Sequence, residues 1–147
     1  MLPAYKAKYL REAIDSIINQ TYTDFELIIV NDASPEDVDS IVSSYDDARI
    51  QYYRNEKNIG GTDLVAQWNH CIAYARGEYL ILASDDDVYS LEYLEKMDTL
   101  IQRYPETNVF RCRVKRVDNS GKILQIDGYE GEYLTKIEYL HLWTAKY

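Results

Sequence analysis

The chain has 147 residues, a formal net charge of −9, and 46% hydrophobic and 13% aromatic residues. That length and composition fit one domain with a buried core and exclude disorder as the default state. The acidic balance argues against a nucleic-acid surface, which needs clustered Lys and Arg. In chain order, KYLREAIDSIINQ at 8–20 sets Leu10, Ala13, Ile14, Ile17 and Ile18 on one helical face, and FELIIV at 25–30 is a short apolar strand ended by Asn31 and Asp32. SPEDVDSIVSSY at 34–45 carries Val38, Ile41, Val42 and Tyr45 at helix spacing. Ser34 stands there as the expected N-cap, Pro35 as the first helical residue and Asp37 as the close of a capping box. RIQYYRN at 49–55 alternates as a strand, with Ile50 and Tyr52 on one side and Gln51 and Tyr53 on the other.

After Gly60-Gly61, residues 63–75 offer Leu64, Trp68, Cys71, Ile72 and Ala75 as a helical stripe, with Gly77 as its expected C′ residue. EYLILA at 78–83 predicts a fully buried strand, and three consecutive aspartates, Asp85, Asp86 and Asp87, follow it. Residues 90–104 resume helix with Leu94, Met97 and Ile101 inward. The pattern at 108–127 predicts two strands joined at Asn119-Ser120-Gly121, with RCRVKR at 111–116 as a half-exposed strand, and 135–147 closes as helix. No run approaches the roughly 18 apolar residues of a membrane span, and no signal-peptide pattern opens the chain. Cys71 and Cys112 have no CxxC spacing and read as reduced, buried thiols of a cytosolic protein. His70 and His141 lack metal-spaced partners, and Trp68 and Trp143 read as core anchors.

Strands alternating with helices of this length predict an α/β fold with a mostly parallel sheet flanked by helices, in which ligands occupy the crevice beyond the carboxyl ends of the strands. Asp32 and the triple aspartate both fall at such ends, on one rim. A following helix dipole accounts for one or two of the three carboxylates. In an extended segment Asp85 and Asp87 share a face about 6–7 Å apart. Such a pair repels by about 2.5 kcal/mol at an effective dielectric of 20. A hard cation, Mn²⁺ or Mg²⁺, relieves that repulsion and bridges carboxylates to a diphosphate. A calcium-loop reading fails because no Gly holds the sixth position and residue 96 is Lys. Asp32 is either a carboxylate for a base N–H or ribose hydroxyl, or a loop residue bonding its own turn.

Several motifs occur in a telling order: Pro3-x-Tyr5, NQTYTDFELIIVND, Asn58-x-Gly60, Trp68-Asn69, GEYL and the aspartate cluster. From Pro3 to Met97 the sequence resembles glycosyltransferase family 2, the GT-A type of nucleotide-sugar transferase with a Rossmann-like fold. The resemblance implies a nucleotide-binding set of Pro3, Tyr5, Asp32, Asn69 and Asp85, with Tyr5 stacking on the base, Asp32 accepting from it and Asp85 on the ribose side. It implies Asp86 and Asp87 as ligands of Mn²⁺ or Mg²⁺. The implied reaction is inverting displacement at the anomeric carbon of a nucleotide-diphosphate sugar, uridine being the usual nucleotide, onto a carbohydrate or lipid-linked acceptor.

The family's first strand is longer than Met1-Leu2 allows, and its domains run past 147 residues, so the resemblance implies a chain truncated at both ends. Residues 1–104 are then the donor-binding βα portion, and 105–147 the start of an incomplete acceptor-side portion. The catalytic base belongs to that later portion. Asp127 and Glu130 are the carboxylates available there, though surface charge explains both better. A cytoplasmic place follows, with room for the inner membrane face through segments outside this chain, and for an oligomer. Two alternatives stand beside this reading: a non-catalytic nucleotide-binding remnant, and a phosphoacceptor receiver-like signalling domain. The second needs an acidic pair after its first strand and a Lys after its last, and neither is visible.

Overall fold

A computed structural model of the chain describes residues 1–128. Glu130 and the helix expected at 135–147, with His141 and Trp143, lie outside the described residues. The chain divides into two compact units, Met1–Glu106 and a second that begins at Thr107.

The first unit runs β1 (Leu2–Ala4), α1 (Leu10–Ile18), β2 (Leu27–Asn31), α2 (Val38–Ser43), β3 (Ile50–Arg54), α3 (Leu64–Ile72) and α4 (Tyr93–Arg103). The three strands form a parallel sheet in the order β1-β2-β3, with Leu2 opposite Ile29 and Ile29 opposite Tyr52. β2 is central and all five of its residues are buried, which is why it reads as an unbroken apolar run rather than an alternating one. Alternate side chains of β2 serve two cores. Leu27 and Ile29 join Leu2 and Ala4 of β1 against Leu10, Ala13 and Ile14 of α1 and Val38 and Val42 of α2. Ile28 and Val30 pack with Cys71 of α3, flanked by Met1, Tyr53 and Tyr74. Each fully buried Ile or Leu contributes about 1.5–3 kcal/mol, and helices on both faces leave only the strand ends open to ligands. α4 docks by its first turn: Gln20 at the end of α1 accepts from Leu94 N at 2.9 Å and donates to Ser90 O at 2.8 Å.

Several expectations need correction here. The segment 78–83 is not a strand: Tyr79, Leu80 and Leu82 are exposed and only Ala83 is buried. Its sheet bonding consists of Met1, whose ammonium group donates to Ile81 O at 2.8 Å and whose carbonyl accepts from Ala83 N at 2.9 Å. Those two bonds to a single residue do not extend into a ladder register, so apolar composition alone does not make a strand there.

The second helix begins at Val38, not at Pro35, and its N-cap is Asp37, whose side chain accepts from Ser40 N at 3.1 Å. Ser34 is drawn away from capping because its hydroxyl is engaged elsewhere, by Tyr5 O and Glu36 N. α3 buries Gln67 and Cys71 rather than the expected stripe, and Leu64 and Ile72 are exposed. It ends at Ile72 through tightened turns, Tyr74 N to Cys71 O and Ala75 N to Ile72 O, so Gly77 is not its C′ residue. Stacking of Tyr74 on Tyr53, with ring centroids 3.8 Å apart, holds that tightened end against the sheet. Cys112 is exposed, unlike Cys71.

The second unit contains an antiparallel hairpin of β4 (Lys115–Val117) and β5 (Ile123–Ile126). Asp118 Oδ1 gathers the turn by accepting from Ser120 N and Lys122 N, and Gly121 takes the left-handed conformation with φ 80° that the reversal requires. The first strand is shorter than RCRVKR suggests, and both strands are exposed along their length. A register irregularity between Arg116 and Val117 interrupts the ladder.

Candidate functional site

The site is assembled where β1 and β2 end. β1 stops at Ala4, whose carbonyl accepts from Asp32 N at 2.9 Å and so ties the two carboxyl ends together. Tyr5 follows directly and is exposed. Its amide and that of Lys6 both donate to Asp85 Oδ2, each at 2.7 Å. Tyr5, Asp32 and Asp85, far apart in the chain, are thereby held on one rim. Pro3 lies one residue inside it, paired with Val30.

Asp32 is buried and accepts three hydrogen bonds. Oδ1 accepts from Asn55 Nδ2 at 2.7 Å and Ile59 N at 2.8 Å, and Oδ2 accepts from Gly60 N at 2.7 Å. A carboxylate has about four acceptor positions, so one remains on Oδ2. The Asn58–Gly61 turn is thus folded onto Asp32, and Gly61 N closes it on Asn58 Oδ1 at 2.5 Å. Gly60 is required there: a Cβ at this position would sit 2.9 Å from Asp32 Oδ2. Behind Asp32, Asn55 also donates to Gln67 Oε1 at 2.9 Å, and Gln67 reaches Cys71 Sγ at 3.7 Å. Burial pushes the Cys71 thiol up to about 11, so it is an unreactive core thiol. Asn55 and Gln67 escaped the sequence reading. The signal was present, since Gln67 lies four residues before Cys71 on one helical face, but an amide inside an apolar stripe is easily read as exposed.

The aspartates differ from one another. Asp85 is bound to the backbone as described. Asp86 Oδ1 accepts from Ser84 Oγ at 2.5 Å. Asp87 is exposed, yet crowding around its carboxyl, then the charges of Asp86 and Asp85, push it above the usual carboxylate range. Among the described residues none of Asp32, Asp85, Asp86 and Asp87 takes part in a salt bridge. Nor do three ligating side chains gather at any point among the described residues. Mg²⁺ and Mn²⁺ need fewer, since they take one or two carboxylates and leave other positions to water and phosphate. Asp86 and Asp87 fit that smaller donor set, being adjacent carboxylates without a cationic partner among the described residues.

Asn69 is exposed on α3, and its side chain forms no hydrogen bond with the Asp32 network. Asp127 belongs to the second unit, where its carboxylate is 3.8 Å from Arg111 and its carbonyl accepts from Arg113 Nε at 2.9 Å. That is the behaviour of a structural surface charge. A depression of about 430 Å³ between α2 and β3, lined by Asp39, Tyr45 and Tyr52 among others, includes none of the rim residues.

A profile of glycosyl transferase family 2 matches residues 1–145. The chain belongs to glycosyl transferase family 2. It is 33% identical over 126 residues to an uncharacterized glycosyltransferase of Rickettsia typhi, covering 84% of this chain and 38% of that protein. An uncharacterized glycosyltransferase of Methanocaldococcus jannaschii is 34% identical over 121 residues, which is 80% of this chain and 41% of the relative. The chain therefore spans about two-fifths of the length of these family members. Among solved structures, S. aureus TarS 1–349 in complex with UDP superposes with a TM-score of 0.65 at 26% identity, over 71% of this chain and 32% of that one. The family 2 chain described here is thus α/β with a parallel sheet, matching the amino-terminal part of the GT-A fold. The receiver-like alternative falls with that assignment. Among the described residues no helix is long and apolar enough to cross a membrane.

Proposed function

We propose that residues 1–104 bind the donor of an inverting, metal-dependent glycosyltransferase, a nucleotide-diphosphate sugar with uridine as its base, and that residues after 104 contribute to acceptor binding. The observation that carries this reading is the tying of Tyr5, Asp32 and Asp85 to one rim at the ends of β1 and β2, beside two carboxylates without a cationic partner. The structural similarity to S. aureus TarS, solved in complex with UDP, supports the choice of nucleotide.

In this reading Tyr5 offers an exposed aromatic face to the base. Asp32 Oδ2 offers its remaining acceptor position to a base N–H at the foot of the crevice. Asp85, whose Oδ2 is committed to two amides, has Oδ1 for a ribose hydroxyl. Asp86 and Asp87 would hold Mn²⁺ or Mg²⁺, which when bound supplies Lewis acidity to the leaving diphosphate. The acceptor is a carbohydrate or lipid-linked hydroxyl, and its base lies outside the rim residues.

Calorimetry with UDP and Mn²⁺ tests the reading. UDP should bind, and binding should weaken at least about tenfold both in EDTA and in Asp86→Ala, the loss expected for a bridging charge. UDP binding that ignores EDTA and Asp86→Ala would remove the metal from the proposal. No binding of any nucleoside diphosphate would remove the donor site.

A further inference from the structure

The loop that carries Tyr5 is held far more firmly than an exposed loop requires. Four backbone groups in three consecutive residues are tied by side chains from two other segments. Asp85 Oδ2 accepts from Tyr5 N and Lys6 N, both at 2.7 Å, Ser34 Oγ donates to Tyr5 O at 2.5 Å, and Glu36 Oε2 accepts from Ala7 N at 2.5 Å. Ser34 is itself oriented by accepting from Glu36 N at 3.0 Å, so the 34–36 segment clamps the loop from one side and Asp85 from the other. Amides at an exposed position can be satisfied by water, so these bonds are not needed for satisfaction. What they add is order, and bonds to carboxylates are the stronger kind.

The side chain borne by this fixed backbone is left unengaged. Tyr5 is 41% exposed, and among the described residues its ring has no aromatic, cationic or hydrogen-bonding partner. An immobilised backbone under an uncommitted flat ring is the arrangement expected of a presented recognition surface. Ordering the loop before the ligand arrives removes that cost from binding.

From this we infer that Glu36 and Ser34, opposite Asp85, are positioning residues that fix the Tyr5 ring for a nucleobase. The inference rests on the donor reading and assigns work to two residues outside its contact set. Asp85 then has a second task besides facing the ribose. It links the loop under the base to the aspartates beside the diphosphate.

The test is a double-substitution cycle read by calorimetry with UDP and Mn²⁺ on the wild type, Tyr5→Ala, Glu36→Ala and the double variant. Loss of the ring should weaken UDP about tenfold, the usual scale of base–aromatic stacking. Glu36→Ala should weaken it about threefold when Tyr5 is present and not at all when Tyr5 is absent, because groups acting through one another are not additive. Amide hydrogen exchange gives the independent readout: Ala7 should exchange faster in Glu36→Ala while the melting temperature stays that of the wild type. Equal losses from Glu36→Ala in both backgrounds, or none in either, would overturn the inference and leave the donor reading intact. A wild type that binds no UDP would overturn the donor reading, and the inference with it.

Discussion

Asp47 and the Asp85–Asp87 cluster, at opposite rims of the sheet, are treated in opposite ways. At the amino-terminal rim, Arg49 pairs with Asp47 at 2.6 Å, donates to Ile18 O at 2.8 Å and lies 4.5 Å from the centre of the Phe25 ring. That arginine and its aspartate answer each other within the protein. At the carboxyl-terminal rim Asp32 is answered by neutral amides, while Asp86 and Asp87 have no cation at all among the described residues. The carboxyl-terminal rim is not without ion pairs, since Arg54 at the end of β3 pairs with Asp39, so the contrast lies between Asp47 and the Asp85–Asp87 cluster. A carboxylate paired inside the protein supports the fold, whereas in the proposed donor reading the unpaired aspartates are left for a bound cation.

The sharpest way to break this contrast is Asp32→Ala. It removes one of the two acceptors of the buried Asn55 amide and the acceptor of two loop amides, and should cost about 3 kcal/mol in urea unfolding, toward the upper end for buried donors left unpaired. A smaller loss would mean that the loop, not the carboxylate, organises this rim. Gly60→Ala comes next, at about 1–2 kcal/mol, because the new methyl group must displace a carboxylate pinned by three donors.

Acid titration probes the opposite rim. The Arg49 side chain, then the Arg49 amide, hold the Asp47 carboxyl down at about 2. A folded value below the unfolded one stabilises the protein above the ordinary carboxylate range, and this stability is lost as pH falls from about 4 towards about 2. Solvent screening reduces the effect to about 1 kcal/mol, and Arg49→Ala should flatten that part of the pH curve. Asp86→Ala is the smallest, within about 0.5 kcal/mol of the wild type, since an exposed carboxylate bonded only to Ser84 supports little. If instead it destabilised the protein as much as Asp32→Ala, the contrast between the rims would collapse.

Much of this was legible in the sequence, and the reasons differ by element. β2 was visible because a strand covered on both faces must be apolar throughout, and α1 because its stripe is regular. The shared rim followed from topology, since every strand of a parallel sheet ends on the same side. Residues 78–83 misled because apolar composition does not fix a ladder register, which needs a second backbone paired along the segment, and Met1 alone does not provide one. The cap of α2 misled because Ser34 fits the capping pattern, while a tertiary partner 29 positions away, Tyr5, claims its hydroxyl. Asp32 was left open between ligand and turn, and the structure shows the turn contacts in full; they involve Asn55, Ile59 and Gly60, whose approach no local pattern announces.

Ala33, between Asp32 and Ser34, has φ 51°, the sole left-handed non-glycine residue among those described. That single change of hand sends its two neighbours to different clients, Asp32 to the loop after β3 and Ser34 to the loop after β1. One torsion therefore serves both the Asn58–Gly61 turn and the Tyr5 loop. Anyone redesigning the selectivity of the crevice should leave position 33 as alanine or glycine, because a β-branched side chain resists this conformation and would spoil both attachments at once.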